Sequence, residues 1–475
     1  MKTNDLTKGN ITKGLWDFAI PLMFGNVMQQ LYNLVDTWVV GRYVGDNALA
    51  AVGSSYTLMT FLTSIIIGLC LGSSSFISMA YGKKKNDNIR NGIFLSSIMI
   101  GILTMLIVIL FYLLINPIIS ILQVPDEIFG DMRTYLVYVF IGFVAIYVYN
   151  YVANVLRGLG NSVIPLIFLA VSVVLNIVLD LLFVAGFSMG IKGAAVATVI
   201  AQYVSGIGIL IYFIAAYPVY RIQKKDMYFD NSNMRNILSL SGFTCLQQSV
   251  MNFGILCVQG IVNSFGTNVM AAFAVAVKID TIAYMPVQDF GNAFSVFVAQ
   301  NFGAEKTDRI KSGIRQAGIS VIIFCLCIST IVFTFARTFM SIFVDSSSIE
   351  VINTGVQYLH IEGAFYIGIG ILFMLYGYYR AVNKPMMSVV LTVISLGTRV
   401  VLAYILSAIP AIGVVGIWAA IPIGWFLADA VGIAIYWIKQ KYDFAKSPFN
   451  EVSGKILKLL KITCYLQIKM PYCNT

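Results

Sequence analysis

The stretch YNLVDTWVVG, residues 32–41, sets the carboxylate of Asp36 inside an apolar run that begins near Leu15. Asn26, Gln29, Asn33 and Asp36 are spaced three, four and three residues apart. At about 100° per residue, that spacing holds all four within a sector of about 80° on one helix. Ser172, Asn176 and Asp180 form a second stripe at four and four, and Thr198 with Gln202 a third. A carboxylate inside a bilayer costs about 3 kcal/mol or more, so it is protonated, paired or bound to a cation. Two aspartates can share a proton, and with an amide and a hydroxyl oxygen they can coordinate a hard cation such as Na⁺. Asp36 and Asp180 each lie about one turn from the outer ends of their apolar runs, and Thr198 about two turns from its own, so the three reach similar depth. The set Asp36, Asn176, Asp180 and Thr198 therefore reads as one coupling-ion site. The competing reading makes both aspartates hydrogen-bonded packing polars near the outer interface.

The elements that carry these residues follow from composition. Hydrophobic residues make up 59% of the 475 and charged residues 11%, whereas a soluble domain has about a quarter charged. Cutting the chain at its charged and Gly/Asn/Pro-rich breaks leaves twelve apolar segments between residues 15 and 438, each long enough to cross a bilayer as a helix. The fold class expected is an all-α integral membrane protein. With the N-terminus inside, the outer loops hold only Arg42, Arg133, Lys192 and Arg337; Lys278 and Arg399 lie within spans, and every other Lys and Arg falls on the inner side. That asymmetry places both termini in the cytoplasm. It also accounts for the net charge of +10 through anionic membrane lipid, with no call for nucleic acid. The polar start MKTNDLTKGNITKG does not read as a cleavable signal. The seven cysteines show no metal spacing and read as packing residues.

The chain also repeats itself. AYGKKKNDNIRNGI (80–93) lies over NFGAEKTDRIKSGI (301–314) at an offset of 221 residues, and YVGDNALAAV (43–52) over SFGTNVMAAF (264–273) at the same offset. Farther on the offset is 223: NVLRGLGN (154–161) meets GYYRAVNK (377–384), and GIKGAAVA (190–197) meets GVVGIWAA (413–420). A two-residue insertion in the outer loop after the third span explains the shift. Helical composition alone would not keep Gly82/Gly303, Asp87/Asp308, Arg157/Arg380 and Gly193/Gly416 in register, so the protein is a duplication. Six spans per half is an even number. Both halves then enter from the same side as parallel repeats, with a substrate between them and access alternating as they rock. The expected division is a lobe at 1–216, a linker at 217–235, a second lobe at 236–438 and a basic tail at 439–475.

The second lobe lacks the ion set, because Cys257, Arg399, Ala403 and Ile421 fall where Asp36, Asn176, Asp180 and Thr198 stand. It has instead Asp289 with Asn292 and Ser295 on one helix face, and His360 with Glu362. Gln29, Asn33, Met285, Asp289, Asn292 and Tyr366 are the residues expected to line a substrate cavity between the lobes, where stacking, soft packing and one carboxylate would suit lipophilic organic cations. A second reading pairs Asp289 with Arg399. Lys278 and Asp280 are expected at the interface, and His360 as a hydrogen-bonded helix polar.

The run IPLMFGNVMQQLYNLVDTWVVGRYVGDNALAAVG, followed by FVAQNFGAEK, VLRGLGN and LNIVLDLLFV, resembles the multidrug and toxic compound extrusion family over about residues 12–440. The resemblance implies a drug/cation antiporter, in which an amphiphilic compound leaves as Na⁺ or H⁺ enters. Its branch related to the DNA-damage-inducible protein F carries coupling carboxylates on the first and fifth helices, which correspond here to Asp36 and the Asn176/Asp180 pair, with Thr198 at the sixth-helix ligand position. The seventh span departs from the other branch, since Phe243 to Val262 contains no carboxylate. No organic cofactor is implied, and the expected state is a monomer. A lipid-linked saccharide flippase is the alternative, but pyrophosphate would call for a cavity rich in Arg and Lys. An enzyme is not indicated, because no metal-ligand spacing, Ser/His/Asp arrangement or phosphate loop is present.

Overall fold

The computed structural model describes residues 5–122 and 124–441. Among the described residues the regular structure is entirely helical. The first lobe comprises α1 (Ile11–Tyr43), α2 (Asp46–Gly82), α3 (Asn86–Ile121), α4 (Asp126–Val139), α5 (Phe143–Gly158), α6 (Val163–Asp180) and α7 (Gly190–Ala216). The second comprises α8 (Asn231–Asn263), α9 (Thr267–Gly303), α10 (Thr307–Phe343), α11 (Ile349–Gly363), α12 (Tyr366–Ala381), α13 (Pro385–Ser407) and α14 (Val415–Lys441). α4 and α5, joined by a tight turn at Phe140–Gly142, make one span; α11 and α12, bent by 53°, make its counterpart. With each of these pairs counted once, the described helices make twelve spans. α1 is less apolar than most of them because its polar stripe lowers its hydropathy. The compact body runs to Asp429, and from Ala430 to Lys441 the last helix belongs to a separate unit.

Backbone geometry repeats with the sequence. Left-handed residues occur at Gly45 (φ 119°) and Gly266 (93°), at Lys84 (55°) and Glu305 (57°), at Gly160 (88°) and Asn383 (59°), and at Gly190 (60°) and Gly413 (53°). The first two pairs keep the 221-residue offset and the last two the 223-residue offset, so each lobe turns its corners at equivalent positions. The lobes are thus related by parallel duplication.

In lipid no hydrophobic drive brings helices together, and close approach rests on small residues that admit van der Waals contact. Here the seam pairs α1 and α2 with α8 and α9. A Cβ on Gly82 would strike the Gln300 carbonyl, and one on Gly303 the Met79 carbonyl. These two contacts exchange under the 221-residue offset, which puts the pseudo-twofold axis between them. Farther along α2, a Cβ on Gly68 would lie 2.7 Å from the Cys245 Cα of α8. On the outside, α3 and α10 turn Ile102, Leu113, Ile323 and Phe333 toward the lipid.

Two boundaries differ from the sequence reading. Asp230 caps α8 by accepting from the N–H groups of Ser232 (2.8 Å) and Asn233 (3.1 Å), so the helix begins inside the segment expected as linker. Its first turns, NSNMRN, are too polar to register as membrane span. The basic tail expected at 439–475 lies outside the described residues from position 442 on.

Candidate functional site

α1, α6 and α7 pack against one another in the first lobe and bring Asp36, Asn176, Asp180 and Thr198 together. All four are buried. Thr198 is anchored by its hydroxyl, which donates to the Ala194 carbonyl at 3.0 Å, and Tyr32 Oη approaches the same hydroxyl at 3.4 Å. The Asn176 amide is best satisfied with its nitrogen donating to Asp180 Oδ2 at 2.9 Å and its oxygen accepting from the Thr198 N–H at 3.3 Å. The carboxyl groups of Asp36 and Asp180 face each other within reach of one shared proton. One oxygen of each, Oδ1 in both cases, has no hydrogen-bond partner. Buried oxygens with unspent lone pairs are costly unless something answers them. The donor set is entirely oxygen, the chemistry of a proton or a hard monovalent cation rather than of a soft metal.

Immediately after Asp180 the helix widens into one π-helical turn, Leu181–Gly186. The equivalent stretch of α13 stays α-helical to Ser407. Such turns are frequent at functional sites, and among the described residues this one occurs only in the lobe with the carboxylate pair. Tyr135 on α4 also lies beside Asp36 and Asp180. The sequence reading missed it because a tyrosine on an amphipathic helix carries no polar-stripe signal.

The residues expected to bind substrate do not form one cluster. Gln29 is exposed, and Asn33 and Met285 are half-buried. Asp289 is buried and accepts both bonds from Asn26 Nδ2 across the seam, at 2.6 and 2.7 Å, with Arg157 nearby. It makes no ion pair with Arg399 among the described residues, which removes that reading. Asn292 accepts from Arg380 at 3.0 Å. Tyr366 is buried inside the second lobe and donates to Asp280 at 2.7 Å, so it is committed away from an inter-lobe cavity. Asp280 itself is buried, not interfacial; the helix carrying it packs against α11 and α12, which cover it. His360 stacks on Phe333 at 4.1 Å and meets its carbonyl oxygen at 3.0 Å.

The basic end of the seam is closed. The Leu6 N–H donates to Gln300 Oε1 (3.2 Å), Gln300 Nε2 to the Gly158 carbonyl (3.0 Å), and Lys306 Nζ to the Thr7 carbonyl (2.8 Å). Arg309 adds bonds to the carbonyls of Leu6, Lys8 and Gly9. On the linker side Arg90 pairs with Asp226 at 2.8 Å and with Asp87. Asn91 fastens the linker carbonyls of Asp226 (3.0 Å) and Tyr228 (2.9 Å).

Duplicated six-helix lobes, a closed seam on one side and a buried oxygen site in one lobe define a multi-pass membrane transporter. The MatE family model matches the chain twice, over residues 21–182 and 244–405, and the chain belongs to that family. It is similar to the probable multidrug resistance protein YpnP of Bacillus subtilis, 30% identical over 83% of this chain and 88% of that one. It is also similar to the probable multidrug resistance protein NorM of Thermotoga maritima, 26% identical over 86% of this chain and 88% of that one. Among solved structures, an outward-facing multidrug resistance MATE family transporter of the MOP superfamily has a TM-score of 0.86 at 24% identity, covering 91% of this chain and 97% of the other.

Proposed function

We infer that this chain exports lipophilic organic cations across the cell membrane in exchange for Na⁺ or H⁺, by alternating access of its two lobes. The observation that carries the reading is the buried Asp36–Asp180 pair with its two unpartnered oxygens, completed by Asn176 and Thr198. Relatives named for multidrug resistance support the substrate class. In this reading a cation or proton entering the first lobe satisfies the two carboxylates and changes the packing of α1 against α6 and α7. α1 also meets α9 through Asn26 and Asp289, so a change of α1 is felt at the seam where drug would bind. Ion and drug oppose each other through that shared helix, each shifting the equilibrium by its differential affinity for the two states.

The test is efflux of a fluorescent lipophilic cation from proteoliposomes under Na⁺ and H⁺ gradients imposed separately. One gradient should drive uphill dye movement and the other should not. Dye movement indifferent to both gradients would end the antiport reading.

A further inference from the structure

Each lobe holds the segment that leads into the other lobe's first helix. Residues 5–10 precede α1, yet the second lobe grips their backbone. Asn301 Nδ2 donates to the Leu6 carbonyl at 3.2 Å, Lys306 Nζ to that of Thr7 at 2.8 Å, and Arg309 to those of Leu6, Lys8 and Gly9. Residues 226–230 precede α8, and the first lobe grips them: Arg90 pairs with Asp226 at 2.8 Å, and Asn91 Nδ2 donates to the Asp226 and Tyr228 carbonyls. Asn233, in the first turn of α8, donates from its Nδ2 to Asn91 Oδ1 at 3.0 Å. The grips gather at the starts of α3 and α10, where Asp87 and Asp308 stand in register, so the pseudo-twofold puts them on opposite sides of the seam. Neither segment has slack. Asn10 alone separates the gripped carbonyl of Gly9 from Ile11, the first residue of α1, and one extended residue spans at most about 3.6 Å. On the other side α8 itself is held, through Asn233. The lobes cannot part at the basic end while both grips hold.

The two sides are not equally easy to open. Arg90, Asn91 and Asp226 are buried, and separating a buried ion pair strands its charges. Lys306 is exposed and Arg309 half-buried, and both donate to neutral carbonyls, so water takes over those bonds at little net cost. Packing behind the grips agrees. A Cβ on Gly68 would lie 2.7 Å from the Cys245 Cα, and one on Gly72 would strike the Leu240 carbonyl and the Ser241 backbone, so α2 and α8 touch backbone to backbone at successive turns. At the 221-residue offset the α1 side has Asp289 and Ala293 in place of these glycines. There α9 meets α1 through side chains, with Asn26 donating to Asp289. We propose that the seam opens on one side only: the grip on residues 6–9 is a clasp that releases, and the α2–α8 contact with its linker latch is the pivot on which the lobes rock. This rests on the alternating-access reading and gives that motion its axis. Opening then draws α1 away from α9 and breaks the Asn26–Asp289 bond, so the Asp289 carboxylate is freed only in the state open at the basic end.

Distances between paired spin labels on the full-length protein, reconstituted in a cysteine-free background, test this. Labels at Lys13 and Lys311 read the α1 side, and labels at Asn86 and Arg235 the α8 side; all four positions are exposed. Arg309→Ala should add a longer-distance population to the Lys13/Lys311 pair and leave the Asn86/Arg235 pair unchanged. Asn91→Ala, which loosens the latch but not the clasp, should leave the Lys13/Lys311 pair as in wild type. Wild-type distances on the α1 side of Arg309→Ala, lengthening on its α8 side, or a longer Lys13/Lys311 distance in Asn91→Ala overturns the proposal. If Arg309→Ala does not fold, Lys306→Gln is read against the same outcomes. No gradient or dye enters the measurement. Loss of coupling in the efflux assay therefore leaves its result standing, and two-sided opening would refute the pivot while leaving antiport intact.

Discussion

Asp36 and Asp180 owe their place to helix spacing and their chemistry to what surrounds them. Stripes of polar residues at three- and four-residue intervals survive in the sequence because one face of an otherwise apolar helix has to stay wet. That made Asp36, Asn176, Asp180 and Thr198 legible before any coordinates. Tyr135 and the buried Asp280–Tyr358–Tyr366 group were not legible. Their partners come from helices far apart in the chain, and a single charge near a helix end looks interfacial until packing covers it. Replacing Asp36 or Asp180 with asparagine keeps size and hydrogen bonding but removes the charge a cation or proton must answer. Each variant should insert and fold with a near-unchanged Tm, and its gradient-driven dye efflux should fall to the level of empty liposomes. Wild-type initial rates in either would remove that residue from coupling.

At the level of elements, two features position the site and hold the seam shut. The π turn after Asp180 widens the end of α6 beside that carboxylate without breaking the helix. No sequence rule announces it, whereas the glycines of the seam were visible as repeat markers although not as contacts. The Gly82 and Gly303 positions let the basic ends of α2 and α9 touch backbone to backbone, closing the seam. Gly303→Ala puts a methyl group against the Met79 carbonyl, and backbone cannot step aside as a flexible side chain can. This variant should spend less time closed at the basic end. A single cysteine at Thr7, half the seam's plug, should then react faster with a membrane-impermeant maleimide applied from that side, by about tenfold for each 1.4 kcal/mol lost. An unchanged labelling rate would show that the glycine contact does not control closure.

In the proposed exchange the whole molecule couples one ion site to one seam, and pH bears on where that coupling lies. Asp226 at the linker is subject to burial, which pushes its carboxyl up, but the Gln223 N–H and the Arg90 guanidinium outweigh this and hold it below its ordinary value of 3.8. A depressed carboxylate contributes stability that is present above its unfolded value and is lost as pH falls through the lower folded one. The linker latch is therefore constant above about pH 5. The latch thus adds no pH response of its own between about pH 5 and 9. The second lobe offers Cys257, Arg399, Ala403 and Ile421 in place of the ion set. Ion binding should therefore fit a single site per chain. Sodium isotherms, or proton release titrated on purified wild type, should give a stoichiometry of one, and the Asp36→Asn/Asp180→Asn double variant should give none. Two sites of similar affinity, or one that survives in the double variant, would place coupling in the second lobe and make Asp289 and Glu362 the residues to examine next.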